Sequence, residues 1–340
     1  MFENERISTP KRLSLDSDEG SLRPLHLKEF IGHKDMKKQF GIYIKAALGR
    51  NENLDHVLLY GPPGLGKTTF ATIISHELGV GFKSTSAPAI ERTGDLAAIL
   101  SSLKFCEVLF IDEIHRLKPI LEEILYPALE DYSLDIIIGQ GPGAKSIKIS
   151  LQPFTLIGAT TKAGLLSAPL RARFGITQRI DFYNSKEIFE IVKRSARILH
   201  IDINDKGAMT IANRSRGTPR VANRILRRIR DIAEVEGNGY IDEEMAHKGL
   251  EMLNLDKLGL DTMDKKLVDT IISKYDGGPV GVETLAVSLG EDREAIEDIY
   301  EPYLIQIGFL KRTQKGRVAT KHAYDHLGLQ YKNTVEGELF

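Results

Sequence analysis

The sequence predicts three consecutive units: an α/β domain on a parallel sheet, a small all-helical domain, and a C-terminal winged helix. Three observations carry this. Short apolar runs alternate with helix-length segments as far as about residue 182, the pattern of βαβ units. Residues 183–254 show helical periodicity and no strand-like run. Residues 255–330 hold three short helical stretches and then two short strands around a glycine turn, the order of a winged helix.

The elements follow from local signals. Residues 57–60, 108–111 and 154–158 are short apolar runs suited to buried strands. Between them, 68–78, 95–103 and 120–130 have helix length. Asn184 and Ser185 are candidate caps for a helix with Ile188, Ile191, Val192, Ala196 and Leu199 at helical spacing. A second helix starts near Asn204. A third has Thr218 as cap, Pro219 at its first position and Gly237 beyond its end. A fourth spans 242–253. In the last unit, 264–274, 282–289 and 294–305 are helical, and 309–313 pairs with 317–320 around Gln314-Lys315-Gly316. Residues 1–20 are polar and aperiodic, which predicts a flexible tail, and 331–340 predict a frayed end. The expected domains are therefore 21–182, 183–254 and 255–330.

Composition narrows the function. The 340 residues carry 46 Lys+Arg against 47 Asp+Glu, a net charge of −1, so any contact with nucleic acid must be a local patch. No run approaches ~18 apolar residues, which argues against a membrane-spanning helix. The polar N-terminus lacks a secretory h-region, and a lone Cys106 excludes an internal disulfide or a cysteine-based zinc site. A cytoplasmic protein without membrane contact is expected.

The chemistry begins at Gly61-Pro62-Pro63-Gly64-Leu65-Gly66-Lys67-Thr68, which fits G-x-x-x-x-G-K-[ST] between a strand and a helix. Gly61, Gly64 and Gly66 free the backbone N–H groups to wrap phosphates, and the helix N-terminus adds its dipole. Lys67 would reach the β/γ-phosphates and the Thr68 hydroxyl would hold Mg²⁺. Asp112 and Glu113 end the next apolar run, where Asp112 can organise Mg²⁺ and Glu113 can polarise the attacking water. The run at 154–158 leads into Ala159-Thr160-Thr161, whose hydroxyls either contact the γ-phosphate or its water or cap the strand end. Arg171 and Arg173 lie near the domain edge. Arg220 occupies a helix first turn, where the dipole disfavours an unpaired cation, so it expects an anion: a phosphate or an Asp/Glu side chain.

Taken together, the phosphate loop, the Asp-Glu pair, the Ala-Thr-Thr strand end, Arg171-Ala-Arg173-Phe174 and Gly217-Thr218-Pro219-Arg220 resemble the AAA+ ATPases. The wording of GPPGLGKTT (61–69), EVLFIDEIHRL (107–117), the 125–149 segment, FTLIGATTKAGLLSAPLRARFGI (154–176), RGTPRVANRILRR (216–228) and EPYLIQIGFLKRT (301–313) is similar to the RuvB family of Holliday-junction branch-migration motors. The likeness spans roughly 21–328. It implies an AAA+ P-loop domain, a helical lid and a DNA-binding winged helix. It further implies a Mg²⁺-dependent ATPase that binds ATP and ADP and forms a homo-hexameric ring on four-way junction and duplex DNA, in recombination, repair and the SOS response. By the same likeness, Arg173 is an arginine finger for a neighbouring subunit, Arg220 is sensor 2, and Thr161 is sensor 1 with Thr160 as its competitor. Leu22, Arg23, Thr69, Glu130, Asp131, Tyr132 and Tyr183 fall in nucleotide-proximal segments.

The stretch 134–149 has an apolar strand, a Gly-rich turn and a Lys-rich strand. It either packs on its own domain or serves as a docking surface; the resemblance implies a RuvA-type partner there, with a RuvC-type resolvase in a larger complex. The C-terminal hairpin is basic, with Lys311, Arg312, Lys315, Arg317 and Lys321, whereas Glu294, Glu297, Asp298 and Glu301 on the preceding helix should repel phosphates. The wing is therefore the expected DNA contact, and the resemblance implies Arg312 and Arg317, with Arg293 beside them. Seven arginines between 214 and 230 could line a DNA path, bridge subunits, or pair with Asp231, Glu234 and Glu236. An AAA+ loader or replication-initiator switch shares the same domain order and is the alternative. A two-lobed DEx[HD] helicase is disfavoured, because no second βαβ series follows residue 183.

Overall fold

The computed structural model describes residues 22–138 and 145–331. The expected tail at 1–20, the tip of the 134–149 hairpin and the segment beyond 331 lie outside the described residues.

The first domain runs α1 (Lys34–Arg50), β1 (Val57–Tyr60), α2 (Lys67–Leu78), β2 (Phe82–Ser86), α3 (Thr93–Ser101), β3 (Val108–Asp112) and α4 (Pro119–Glu130). The hairpin β4 (Ser133–Ile138) and β5 (Lys145–Ser150) follows, then β6 (Thr155–Thr160), α5 (Ala168–Ala172) and β7 (Ile176–Arg179). Five strands form one parallel sheet in the order β2-β3-β6-β1-β7. The inner strands β3, β6 and β1 are buried on both faces, hence their unbroken apolar runs. The edge strands FKSTS and ITQR are half polar, so an apolar-run reading passes over them. This order brings the C-terminal ends of β1, β3 and β6 side by side, where open α/β sheets bind ligands.

The lid is α6 (Ser185–Ile198), β8 (Asp202–Ile203), α7 (Asp205–Asn213), α8 (Pro219–Glu236), β9 (Tyr240–Ile241) and α9 (Glu243–Met252). Asn184 and Glu187 form a reciprocal capping box at 3.0 Å each way. At α8 the Thr218 hydroxyl turns away from the helix and donates to the Ser215 carbonyl at 3.2 Å. The strands β8 and β9, two residues each, pair in parallel and add a small sheet to the helical lid. Lid side chains such as Ile188, Val192, Ile225 and Leu226 share one core with Phe40, Phe70 and Val57 of the first domain.

The winged helix has its own core around Leu267, Leu285 and Leu304. It comprises α10 (Thr262–Lys274), α11 (Val282–Leu289), a third helix α12 and the wing strands β10 (Leu310–Thr313) and β11 (Gly316–Ala319), closed by α13 (Lys321–Leu327). Helix α12 is composite: Arg293–Ala295, a π turn Ile296–Tyr300, then Glu301–Gln306. No helix among the described residues is long and apolar enough to cross a membrane.

Candidate functional site

The ends of β1, β3 and β6 and the lid helices α6 and α8 enclose a cleft of about 230 Å³. The loop between β1 and α2 lines it with Gly64, Gly66, Lys67, Thr68 and Thr69. Gly64 takes a positive φ of 78°, and a Cβ there would approach the Arg220 Cβ to 3.2 Å, so the loop and the lid are in contact. The Arg220 N–H points at the Gly64 carbonyl at 3.4 Å. Lys67 is buried, and its ammonium donates to the carbonyls of Gly61 (2.8 Å) and Pro62 (3.0 Å). Burial lowers its pKa while Asp112 and Glu113 oppose that shift, leaving a desolvated cation held mainly by dipoles.

Asp112 accepts the Glu113 N–H at 2.9 Å, and Glu113 adopts a left-handed φ of 50°. Burial, and then the neighbouring Asp112 charge, raises the pKa of Glu113. Its carboxylate faces the Thr161 hydroxyl at 3.5 Å and the His115 Nδ1 at 3.3 Å. The Thr160 hydroxyl is buried against the His115 Nδ1 at 2.8 Å and accepts the Lys162 N–H. Of the two threonines only Thr161 lines the cleft.

Leu22, Arg23, Tyr183 and Arg220 also line the cleft, and Gly61 supports Lys67 from below through its carbonyl. Four residues named from the sequence lie elsewhere. Arg173 packs 4.2 Å over the Tyr126 ring, with Nη2 3.2 Å from Glu130 and Nη1 donating to the Pro169 carbonyl. Asp131 follows Glu130 at the end of α4, and the Tyr132 hydroxyl accepts from Asn53 at 2.9 Å. This chain does not bring Arg173, Glu130, Asp131 or Tyr132 to its own cleft. Conversely, Glu29, Phe30, Arg194, Ser195 and Asn223 line it and were not named from the sequence. Asn223 lies one turn beyond Arg220, so helical periodicity could have found it; Arg194, which donates to the Leu22 carbonyl at 2.6 Å, carried no sequence signal.

A divalent cation fits the donor set. The Thr68 hydroxyl and the Asp112 carboxylate share the cleft, and no cluster of three or more His, Cys, Asp or Glu occurs among the described residues. So sparse a set suits Mg²⁺, which keeps waters and binds through one or two carboxylates plus phosphate oxygens.

A family model described as the Holliday junction DNA helicase RuvB P-loop domain matches residues 22–180. Models of the RuvB AAA lid domain and the RuvB C-terminal winged helix domain match 183–256 and 257–328. The chain belongs to the RuvB family. Among solved structures, the Thermotoga maritima RuvB Holliday junction branch migration motor is 50% identical with a TM-score of 0.84, covering 92% of this chain and 100% of that one. A lysine-to-arginine variant of the Thermotoga RuvB matches at 50% identity and TM-score 0.85, and an arginine-to-alanine variant at 49% and 0.84. Each covers 92% of this chain and 99% of the other.

In this RuvB-family chain the acidic third helix and the wing are joined. Arg312 and Arg317 are directly opposite in the β10–β11 pair and so share a face. Arg317 departs from the expected exposed DNA contact. Its side chain is 7% exposed and binds both oxygens of Glu301 at 2.6 and 3.0 Å and Glu297 at 3.0 Å. The reason is register: Glu297 and Glu301, one turn apart, meet the two arginines instead of facing solvent. Arg312, 59% exposed, touches Glu297 at 3.2 Å, and Arg293 pairs with Glu283 (2.8 Å) and Glu297 (3.3 Å). Within the 214–230 cluster, Arg228 and Arg230 pair with Asp231, and Arg216 is buried against Asp261 and Asp264.

Proposed function

We propose that this RuvB-family chain is an ATP-hydrolysing motor that drives branch migration of Holliday junctions. The observation that carries the reading is the convergence of Lys67, Glu113, Thr161 and Arg220 from three strand ends and the lid on one cleft. Lys67 and the loop amides bind the β/γ-phosphates, Glu113 takes the proton of the attacking water, and Thr161 orients that water and Glu113. When bound, Mg²⁺ supplies charge neutralisation on the phosphate oxygens, with Thr68 and Asp112 as its protein ligands. Arg220, carried on the first turn of α8, couples phosphate contact to lid position. Leu22, Arg23 and Tyr183 form the far wall for the nucleoside.

The working division is 21–182 for the ATPase domain, 183–254 for the lid and 255–330 for the DNA-binding domain. Arg173, paired with Glu130 and followed along the chain from Glu130 by Asp131 and Tyr132, completes the cleft of the next subunit in a hexameric ring. Its absence from its own cleft supports that role. A RuvA-type junction-binding protein docks on the 134–149 hairpin, and a RuvC-type resolvase joins the larger complex in the cytoplasm during recombination, repair and the SOS response. The wing touches the DNA backbone through Arg312 and Arg293, while Arg317 sets the wing's orientation. Backbone contacts carry little sequence information, as a motor on any duplex requires.

The test is a synthetic four-way junction with homologous arms, incubated with the chain, a RuvA-type partner, ATP and Mg²⁺ beside Lys67→Ala. Conversion to duplex products by the wild type alone is expected. ATP turnover and DNA binding without conversion would replace this reading with a loader or initiator switch.

A further inference from the structure

Among the described residues the winged helix meets the rest of the molecule on a lid side and on a core side, and the two differ in character. On the lid side the buried contact is Arg216, whose side chain is 9% exposed. Its Nε donates to the Gly259 carbonyl at 2.8 Å, Nη1 to Asp264 at 3.3 Å, and Nη2 to Asp261 at 3.1 Å and to Asp264. The guanidinium lies 5.4 Å over the Tyr303 ring, and the Tyr303 hydroxyl donates to the Leu258 carbonyl at 2.6 Å. Asp261 and Asp264 are themselves the reciprocal capping box of α10. A planar fork that grips both carboxylates of a helix cap fixes direction as well as distance.

The 254–261 connection is no loose linker. Asp256 accepts the N–H groups of Leu258 (2.9 Å) and Leu260 (2.8 Å) and meets His326 at 2.8 Å. Gly259 has φ 76°, and a Cβ there would run into the Arg214 carbonyl oxygen. On the other side of the grip, the residues that follow Arg216 run to the nucleotide cleft. The Gly217 carbonyl accepts the Tyr183 N–H at 2.9 Å, Thr218 folds back on Ser215, and Pro219 fixes the approach to Arg220.

On the core side, the ion pair between Lys162 and Asp298 spans 3.1 Å with both side chains partly exposed. Beside it lies a cavity of about 640 Å³ that includes Pro62, Lys162, Leu165, Glu294 and Pro302. A partly exposed pair that lines a cavity is more readily released than a buried fork.

We propose that Arg216 is a positioning residue for the motor: it locks the Arg220 segment of the lid to the first turn of α10, so that lid and winged helix move as one body against the ATPase core. This deepens the motor reading and rests on it. Nucleotide-dependent contact at Arg220 is thereby delivered to the wing through Arg216, Asp261 and Asp264.

Paired spin labels test the joint, in the full chain with Cys106→Ser as background. The pairs use exposed positions: Val235→Cys (lid) with Val287→Cys (winged helix), and Ile42→Cys (core) with Val287→Cys. Between ADP and a non-hydrolysed ATP analogue, the lid-to-winged-helix distance should hold while the core-to-winged-helix distance shifts. Equal shifts in both pairs would overturn the proposal. The functional arm uses Arg216→Lys, which keeps the charge and loses the fork, and Gly259→Ala, which disturbs the joint without exposing a charge. Both should keep ATP affinity and turnover within about twofold of wild type, while junction product per ATP hydrolysed falls by at least about fivefold. An unchanged product-to-ATP ratio, or a parallel loss of both, would also overturn it. If the wild type hydrolyses ATP and moves no junction, the motor reading fails, and the label distances still decide the joint.

Discussion

The nucleotide cleft and the wing both gather cations, yet they hold them in opposite ways. In the cleft, Lys67 rests on two carbonyls, and the Arg220 side chain makes no ion pair among the described residues. At the wing, Arg293, Arg312 and Arg317 are all paired, and Glu297 touches every one of them. A phosphate entering the cleft meets one desolvated lysine, Lys67, and an exposed Arg220 that no carboxylate engages among the described residues, the preorganised arrangement that favours tight binding and catalysis. In the proposed DNA role of the wing, a phosphate competes with Glu297 for these arginines, which keeps each contact weak and reversible. That suits a domain that must let go of one stretch of duplex to take the next.

The largest expected effect breaks the cleft side. Lys67→Ala should lower ATP turnover at least about 10²-fold, as removal of a preorganised transition-state contact does. Steady-state hydrolysis checks it, and turnover within tenfold of wild type would mean the desolvated lysine does not carry phosphate charge. Next, Arg317→Ala should destabilise the winged helix by about 3–5 kcal/mol, because it strands Glu301, 2% exposed, without its counter-charge. Denaturant unfolding reads this, and a loss below about 1 kcal/mol would return Arg317 to the list of freely available DNA ligands.

A smaller effect sharpens the wing side. Glu297→Gln should strengthen duplex binding by roughly two- to fivefold, the scale of an exposed ion pair, with a steeper salt dependence. Titration at two salt concentrations measures it, and unchanged or weaker binding would show that Glu297 does not hold the arginines in reserve. The lid joint supplies an effect of similar scale, a cation buried with acids. Burial raises Asp264 from 3.8 to about 6, although Arg216 pulls the other way. Between about pH 4 and 6 the folded chain therefore binds more protons at this site than the unfolded chain, and its contribution favours folding as pH falls through 6. Wild type should gain stability relative to Asp264→Asn as pH drops from 7 to 5; a flat difference would show that Arg216 keeps the carboxylate ionised throughout.

Contiguous features were legible. The loop at 61–68 performs its function with backbone amides, one lysine and one hydroxyl within eight residues, so its spacing already states its geometry. The inner strands announced themselves because burial on both faces leaves only apolar residues, and the lid helices because capping is local. The edge strands β2 and β7 were missed for the converse reason: half of each faces polar surroundings. Arg194 and Glu29 reach the cleft only through the packing of distant segments, which no local pattern encodes. At the wing the sequence displayed the right charges and misled about their direction. Glu297 and Glu301 look like a repelling face until the β10–β11 register sets Arg312 and Arg317 against them.

By itself, then, the sequence determined the phosphate loop, the Asp112-Glu113 strand end, the order of three domains and the family they compose, since each depends on neighbours along the chain. Only the tertiary structure decided that Thr161 rather than Thr160 faces the cleft, and that Arg173 points away from it. The same holds for Arg317, which is buried on Glu301, and for Arg216, which fastens the winged helix to the lid. The physical reason is common to all four. A side chain's partner is set by the face it presents and by what packs there, and a charge buried in the fold must take the counter-charge that packing provides.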